Sequence, residues 1–585
     1  PDAAARSWLR PGLFRALPLL ALMPAIVAVL GSVRLQISHH GYFHSAYVYQ
    51  VLAGHVPPEN VTLPGYASNT YWPYHALLAA LVALLSIPPP LAAALLNLAL
   101  LAGTLGFAWL LVRELHGPVP RGFAPALALF AVFGANAFGW LHALLLGSAG
   151  LPLQPRAMVL FGDVRLATLL AKFANFTGAS LGVYFYVFLV LVAVRVLRRR
   201  ARGFDLVLAA LALLGTLALH AITGAFVAAG FPPAMAVAAL LAARRAPGES
   251  GKVLAWRSLG DLRAPLAGLA ARRGLRMALL VLLVLGAPVL AFMAHASSEF
   301  PEAPRIGLPD AYALSVVAVS YPLLPFFGAG VVRALRRRDA AVSFLALVCV
   351  GGYALASVLS ISGRNEYKFI YLGSVALCLV ALEPITALLR CSASGWRRAG
   401  RAVAVLALLL ACVNVALFGV ALLRSPGFAD ATFAYRGRHV VAEPPAMVPP
   451  GTGLEYHDLF EWIRGHTAPE TVVVTPLLMR DRSVLYVLAE RLPYVVDGMH
   501  YNRGLPEFAR RAELVAALYD VAAPAEQRAA ALAAIRASLP GRPLVLVYPR
   551  RLARRFDPAG AGLERVHRGR RGDVYAFAPD RGTPS

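Results

Sequence analysis

The sequence predicts a polytopic α-helical membrane protein of about eleven transmembrane helices with a small C-terminal α/β domain outside the cytoplasm. Three observations carry that prediction. The chain has 585 residues, of which 59% are hydrophobic and only 15% charged, whereas soluble domains sit nearer half apolar and a quarter charged. Apolar windows long enough to cross a hydrocarbon core recur through residues 1–423. After Arg424 the composition changes to a Pro/Gly stretch and then to alternating helix-like and strand-like segments.

The windows lie near 12–33, 90–112, 123–146, 178–196, 205–222, 224–243, 276–294, 311–333, 340–360, 369–390 and 402–423. The first has arginines on its N-terminal side and no small-residue cleavage site, so it reads as a retained membrane helix and not as a removed signal peptide. The pair 205–222 and 224–243 is divided only by "HAITGA".

The formal net charge is +25, nearly all of it from arginine, since lysine occurs only at Lys172, Lys252 and Lys368. The arginines fall in short runs between apolar windows: "RVLRRRARGF", "LLAARRAP", "RALRRRDA" and "SGWRRAGR". That is the positive-inside pattern and not a nucleic-acid footprint. With the N-terminus inside, every run named is cytoplasmic. The outer face then receives the loops 34–88 and 147–176, the segments near 295–310 and 361–368, and everything after about 424. The four cysteines, Cys349, Cys378, Cys391 and Cys412, lie in or beside apolar windows and form neither a disulfide framework nor a CxxC knuckle.

Residues 424–453 read as a linker and 454–585 as the α/β domain. There "EYHDLFEWIRGHT", "LPEFARRAELVAALYDV" and "PAEQRAAALAAIRASL" have helical spacing, and "ETVVVTP", "LPYVVDG", "RPLVLVYP" and "GDVYAFAP" read as strands. No Gly-rich phosphate fingerprint is present, so no nucleotide cofactor is predicted.

The first outer loop concentrates the titratable groups, with His39, His40, His44, His55 and His75 beside "PPEN" and "YWPYH". A helix starting near Gly41 places His40 and His44 on one face, four residues apart. The spacing is that of some zinc sites, but no glutamate follows the first histidine and no third ligand is identifiable, so the metal set is empty. Imidazoles here suit removal of a proton from a hydroxyl or steadying of a phosphate. Tyr71, Trp72 and His75 are placed in the same cavity. An interfacial aromatic belt is the structural alternative.

Two further clusters are candidates for an anionic lipid head group. The second outer loop carries Arg156, Asp163, Arg165 and Lys172. The short loop "SISGRNEYKFIYLGS" places Arg364, Glu366 and Lys368 between two apolar helices, where charges are costly unless paired or facing a polar cavity. Arg364 and Lys368 could hold a phosphate or diphosphate, with Glu366 orienting one of them. Interfacial anchoring and a structural Glu–Lys pair are the alternatives. His220 in "LALHAITGAF" either lines the same cavity or caps a helix hairpin. Asn60-Val-Thr62 and Asn175-Phe-Thr177 match the glycosylation acceptor pattern, which carries little weight without a eukaryotic secretory route.

A first helix leading into "HHGYFHSAYVYQVLAGHVPPEN…YWPYHALLAALVALL", the segment "NEYKFIYLGS", and an outer domain opening with "EWIRGHTAPETVVVTP" together resemble the GT-C superfamily of membrane glycosyltransferases. The resemblance is to bacterial relatives of the protein mannosyltransferase and arabinosyltransferase type. It implies inverting transfer of a hexose or pentose from a polyprenyl-phosphate donor to a glycan, lipid or protein acceptor. The reaction would take place on the periplasmic face of a bacterial inner membrane. Members typically carry an acidic residue, often Asp, early in the first outer loop, as base or metal ligand. Here that region reads "SHHG", and the nearest loop carboxylate is Glu59.

Three alternatives follow. His40, or its neighbours His39 and His44, serves as base; or the carboxylate comes from Asp163 or Glu366; or transfer is lost. A histidine base removes the reason for a divalent metal. A polyprenyl-diphosphate glycan ligase is the rival enzyme. A transporter is disfavoured by the lack of an internal hydropathy repeat and by charges clustering at outer helix ends.

Overall fold

The apolar windows become helices in the computed structural model. It describes residues 11–31, 39–68, 72–119, 121–136, 169–243, 273–298, 305–307, 323–361, 365, 367–390, 395–423, 433–442, 454–476, 485–496, 505–553 and 556–577. The first window is α1 (Pro11–Gly31), and the loop after it forms α2 (His39–Leu52) and α3 (Pro73–Leu85). Pro73 opens α3 at a position where an amide N–H would lack an intrahelical partner anyway. Next come α4 (Pro89–His116), α5 (Ala124–Phe133), α6 (Ala171–Ala174), α7 (Ala179–Leu197) and α8 (Gly203–Leu219). They are followed by α9 (Ala221–Ala243) and α10 (Arg273–Ser298). His220 alone divides α8 from α9, so this pair is two helices. After it come α11 (Leu324–Arg337), α12 (Ala340–Val358), α13 (Tyr367–Arg390) and α14 (Gly395–Leu423). The two-residue strands β1 (Arg305–Ile306) and β2 (Leu359–Ser360) pair antiparallel.

Among the described residues, seven helices are long and apolar enough to cross a membrane: α4, α7, α9, α10, α12, α13 and α14. The remaining expected windows contain shorter apolar helices or run beyond the described residues, as 311–333 and 123–146 do. Such helices suit a bilayer, because every backbone polar group is satisfied within the segment. Their outward faces match: α10 leaves Leu283 76% exposed and Leu290 60% exposed, an arrangement that lipid covers. The chain is a membrane protein with a mostly helical body.

The stretch expected as a linker contains an antiparallel hairpin, β3 (Phe433–Arg436) with β4 (His439–Ala442), which corrects that expectation in part. Its buried Phe433 and Val440 join one face of the C-terminal unit's core, which explains why these residues are structured. The unit itself contains α15 (His457–His466), β5 (Val472–Val474), β6 (Leu492–Pro493), α16 (Pro506–Tyr519) and α17 (Ala525–Ser538). It closes with β7 (Leu544–Pro549), β8 (Leu563–Arg568) and β9 (Gly572–Phe577). The sheet runs β6-β5-β7-β9-β8, parallel through β7 and antiparallel beyond it. β8, "LERVHR", is a charged edge strand, a composition that discourages further pairing.

The first loop is built into this unit. Leu63 is fully buried in the same core as Val472, Leu546 and Phe508. The carbonyl of Pro64 accepts from Arg511 Nη1 at 2.8 Å, that of Val61 from the Tyr486 hydroxyl at 2.7 Å, and that of Thr62 from the Val496 N–H at 3.1 Å. Asn60 Oδ1 accepts from the N–H and hydroxyl of Thr62 at 3.0 and 2.8 Å, and Asn60 is buried. The Asn-Val-Thr motif is therefore a turn device here and not an exposed acceptor.

Candidate active site

Two clusters of buried polar groups meet across the segment 169–180. The first is aromatic. α2 presents His44 and α3 presents His75, whose rings stack at 4.9 Å, with His44 Nδ1 2.6 Å from His75 Nε2. Tyr47 and Tyr74 pack on His75 at 4.8 and 5.4 Å, and Phe176 covers His44 at 5.7 Å. His75 is fully enclosed. Burial pushes its pKa down to about 3 against an opposing pull from the Trp72 carbonyl, so the ring is neutral. A neutral His75 can accept at Nε2 from the Nδ1–H of His44, the tautomer in which Nε2 is the basic nitrogen of the His44 ring.

The second cluster is cationic. Lys172, on the short α6, is 4% exposed; its ammonium donates to the Tyr367 hydroxyl at 3.1 Å and lies 4.6 and 5.2 Å from the ring centroids of Tyr367 and Tyr371. Burial, and after it the charge of Lys368 at the start of α13, pushes the Lys172 pKa down to about 7. Neither lysine pairs with a carboxylate among the described residues. An ammonium group held out of water, as that of Lys172 is, without a counter-charge is costly unless an anion joins it.

His220, at the turn between α8 and α9 and outside both, completes this side. Its Nδ1 is 2.8 Å from the Thr223 hydroxyl, and its buried Nε2 makes no hydrogen bond among the described residues. Burial first, then the charges of Lys368 and Lys172, hold it well below the usual imidazole range. The ring lies so close to α7 that a Cβ on Gly182 would stand 2.8 Å from Nδ1.

The segment joining the clusters is fixed by buried polar contacts. Asn97 of α4 donates to the Asn175 carbonyl at 2.9 Å and accepts from the Ser180 hydroxyl at 2.6 Å. Gly178 passes the Leu219 carbonyl where a Cβ would meet it at 2.6 Å. Tyr186 of α7 donates to the Leu372 carbonyl at 2.7 Å, tying α13 to the helix that touches His220. Lys172 and Phe176 are four residues apart, so one short segment serves both clusters.

The structure thus brings together His44 with His75, and Lys172 with Lys368 and His220. Trp72 meets Phe292 of α10 edge to face at 6.2 Å. Glu59 lies elsewhere, in an ion pair with Arg542 at 2.8 Å and accepting from the Gly65 N–H at 2.7 Å. His39 and His40 open α2, but their side chains lie outside the described residues, as do Tyr71, Arg156, Asp163, Arg364 and Glu366. Tyr367, Tyr371 and Asn97 also belong to the site. Buried asparagine in a membrane helix is the one signal that pointed to any of them.

No protein-family model matches the chain, and no curated protein matches it. Among solved structures it is similar to ArnT from Cupriavidus metallidurans bound to undecaprenyl phosphate, with 13% identity, 97% of this chain and 99% of that chain covered, and a TM-score of 0.49. The apo ArnT structure gives 13% identity, 99% and 100% coverage and a TM-score of 0.47. The Archaeoglobus fulgidus oligosaccharyltransferase in its apo form gives 15% identity, 90% of this chain and 69% of that chain, and a TM-score of 0.37.

Proposed function

We infer that the protein is a GT-C-type membrane glycosyltransferase moving a sugar from a polyprenyl-phosphate donor to an acceptor hydroxyl on the outer face of the membrane. The observation that carries this reading is the Lys172–Lys368 pair, with Lys172 buried and Lys368 half-buried, which has no carboxylate partner among the described residues and suits a lipid phosphate.

In this mechanism His44 Nε2 takes the acceptor proton as its Nδ1–H donates to neutral His75. The acceptor oxygen bonds to the anomeric carbon as the bond to the phosphate oxygen breaks, with inversion. The leaving phosphate gains a negative charge, which the two ammonium groups meet without rearrangement. Tyr367 and Tyr371 hold the Lys172 side chain in place. No step requires a metal.

The direct test is transfer from a radiolabelled polyprenyl-phosphate sugar by the purified protein in lipid nanodiscs. Transfer lost in Lys172→Met and Lys368→Met, with the folded protein retained, supports the reading. Unchanged transfer in the double variant would sink it.

A further inference from the structure

A cavity of about 260 Å³ lies on the other side of α2, between that helix and the C-terminal unit. Ala46, Tyr49, Gln50 and Ala53 line it, at the spacing of a single helical face. At about 100° per residue that face is turned away from the one bearing His44 and Tyr47. The cavity and the histidine pair therefore flank one helix.

Most charge in the opposite wall is already spent. Arg542 is held by Glu59, and Arg491 donates to the carbonyls of Arg464, Thr467 and Glu490. Arg464 donates to the Val440 carbonyl. What is left facing the space is of both signs. Glu490 uses Oε1 on His439 Nδ1 at 2.6 Å and on Arg464 Nη1 at 3.7 Å, which leaves Oε2 as the oxygen without a hydrogen bond among the described residues. Glu470 and Arg438 are exposed, with side chains in no hydrogen bond or ion pair there. Glu490 is also held at φ 53°, a left-handed conformation rare for a residue with a side chain and concentrated at ligand sites.

An ion of either sign would meet a nearly compensated field. A polyhydroxylated ring suits the site better, since each hydroxyl donates to a carboxylate and accepts from a guanidinium. Ala46, Ala53 and Leu492 offer apolar surface to its C–H face. We propose that this cavity is a second carbohydrate site, gripping a neutral sugar of the acceptor glycan through Glu490 and Arg438, with α2 between it and the reacting centre. Its biological role rests on the transferase reading; its geometry does not.

Saturation-transfer difference NMR on the full-length protein in detergent, with methyl α-glucoside, α-mannoside, α-galactoside and α-arabinofuranoside as probes, tests it. We expect signal from at least one glycoside, falling at least fivefold in Glu490→Gln and in Arg438→Ala and unchanged in Lys172→Met. Arg438 is exposed, so its variant leaves the fold intact. Absence of signal from all four probes, or signal indifferent to both variants, overturns the site. Inorganic phosphate binding that depends on Arg438 overturns the ligand class. Glycoside binding that survives while Lys172→Met transfers sugar normally would refute the lysine mechanism and leave this site standing.

Discussion

His44 Nδ1 lies 2.6 Å from His75 Nε2, so two rings from different helices share one hydrogen bond. The buried member is neutral, and in the proposed mechanism His44 is the member that takes the acceptor proton. His44→Ala should therefore lower kcat by roughly 10²–10⁴ with the donor KM little changed. His75→Ala should cost about 10–100-fold, because it removes only the orientation of the base. Equal losses in the two variants, read from initial rates, would reverse these assignments.

The lysine pair makes a prediction of opposite sign for binding and stability. Lys172→Met removes a charge that the folded protein holds out of water without a carboxylate partner among the described residues, so the thermal midpoint should hold or rise. The Kd for polyprenyl phosphate should weaken by roughly 10–100-fold, the worth of a charge-assisted hydrogen bond. A fall in the midpoint with unchanged Kd would mean that the lysine is structural.

Affinity for that phosphate should depend on pH. A phosphate binds the ammonium form of Lys172, whose pKa in the free protein is pushed down to about 7. Below about pH 6 the charged form is already present and Kd is flat. Above 7 binding must take up a proton, so Kd rises toward tenfold per pH unit. Titrations from pH 6 to 9 read the slope, and Lys172→Arg should remove the part of it that begins near pH 7.

The contact between Gly182 and His220 has little tolerance. Gly182→Ala places a methyl 2.8 Å from the ring and should cost about 1–3 kcal/mol through overpacking, measurable as a lower thermal midpoint with impaired transfer. A variant that matched the parent on both would show that α7 can shift.

Arg511 and Glu59 separate a buried link from a half-exposed one. Arg511, 2% exposed at its side chain, donates to Glu507 and to the Pro64 carbonyl; Arg511→Ala should destabilise by about 3 kcal/mol. Glu59→Gln breaks a pair whose side chains are 23% and 21% exposed and should cost about 1 kcal/mol or less, with transfer retained. Loss of transfer in Glu59→Gln with an unchanged midpoint would return Glu59 to the list of catalytic candidates.

Composition made the membrane body legible, because long apolar runs have few soluble solutions. Lys172 and Lys368 stood out as rare charges near helix ends, yet Lys172 finds its hydroxyl partner 195 residues away, a distance no local pattern encodes. The stretch "YWPYH" says nothing of which helix His75 faces; the fold makes it the partner of His44. Glu59 is the carboxylate nearest to "SHHG" in the first outer loop, but its partner Arg542 lies 483 residues on. In β8, charges on an exposed edge mask the strand period. The hairpin β3–β4 hid in a Pro-rich stretch, since its stability comes from the core it joins.

The burial of Leu63 also sets a timetable for biosynthesis. The residue is made about 400 positions before β5, the first sheet strand that covers it. At about 5–20 residues per second it waits for roughly 20–80 s at the membrane surface with its apolar side chain uncovered. The nascent chain thus carries an unmet apolar contact through most of its own synthesis, until the C-terminal unit emerges to cover it.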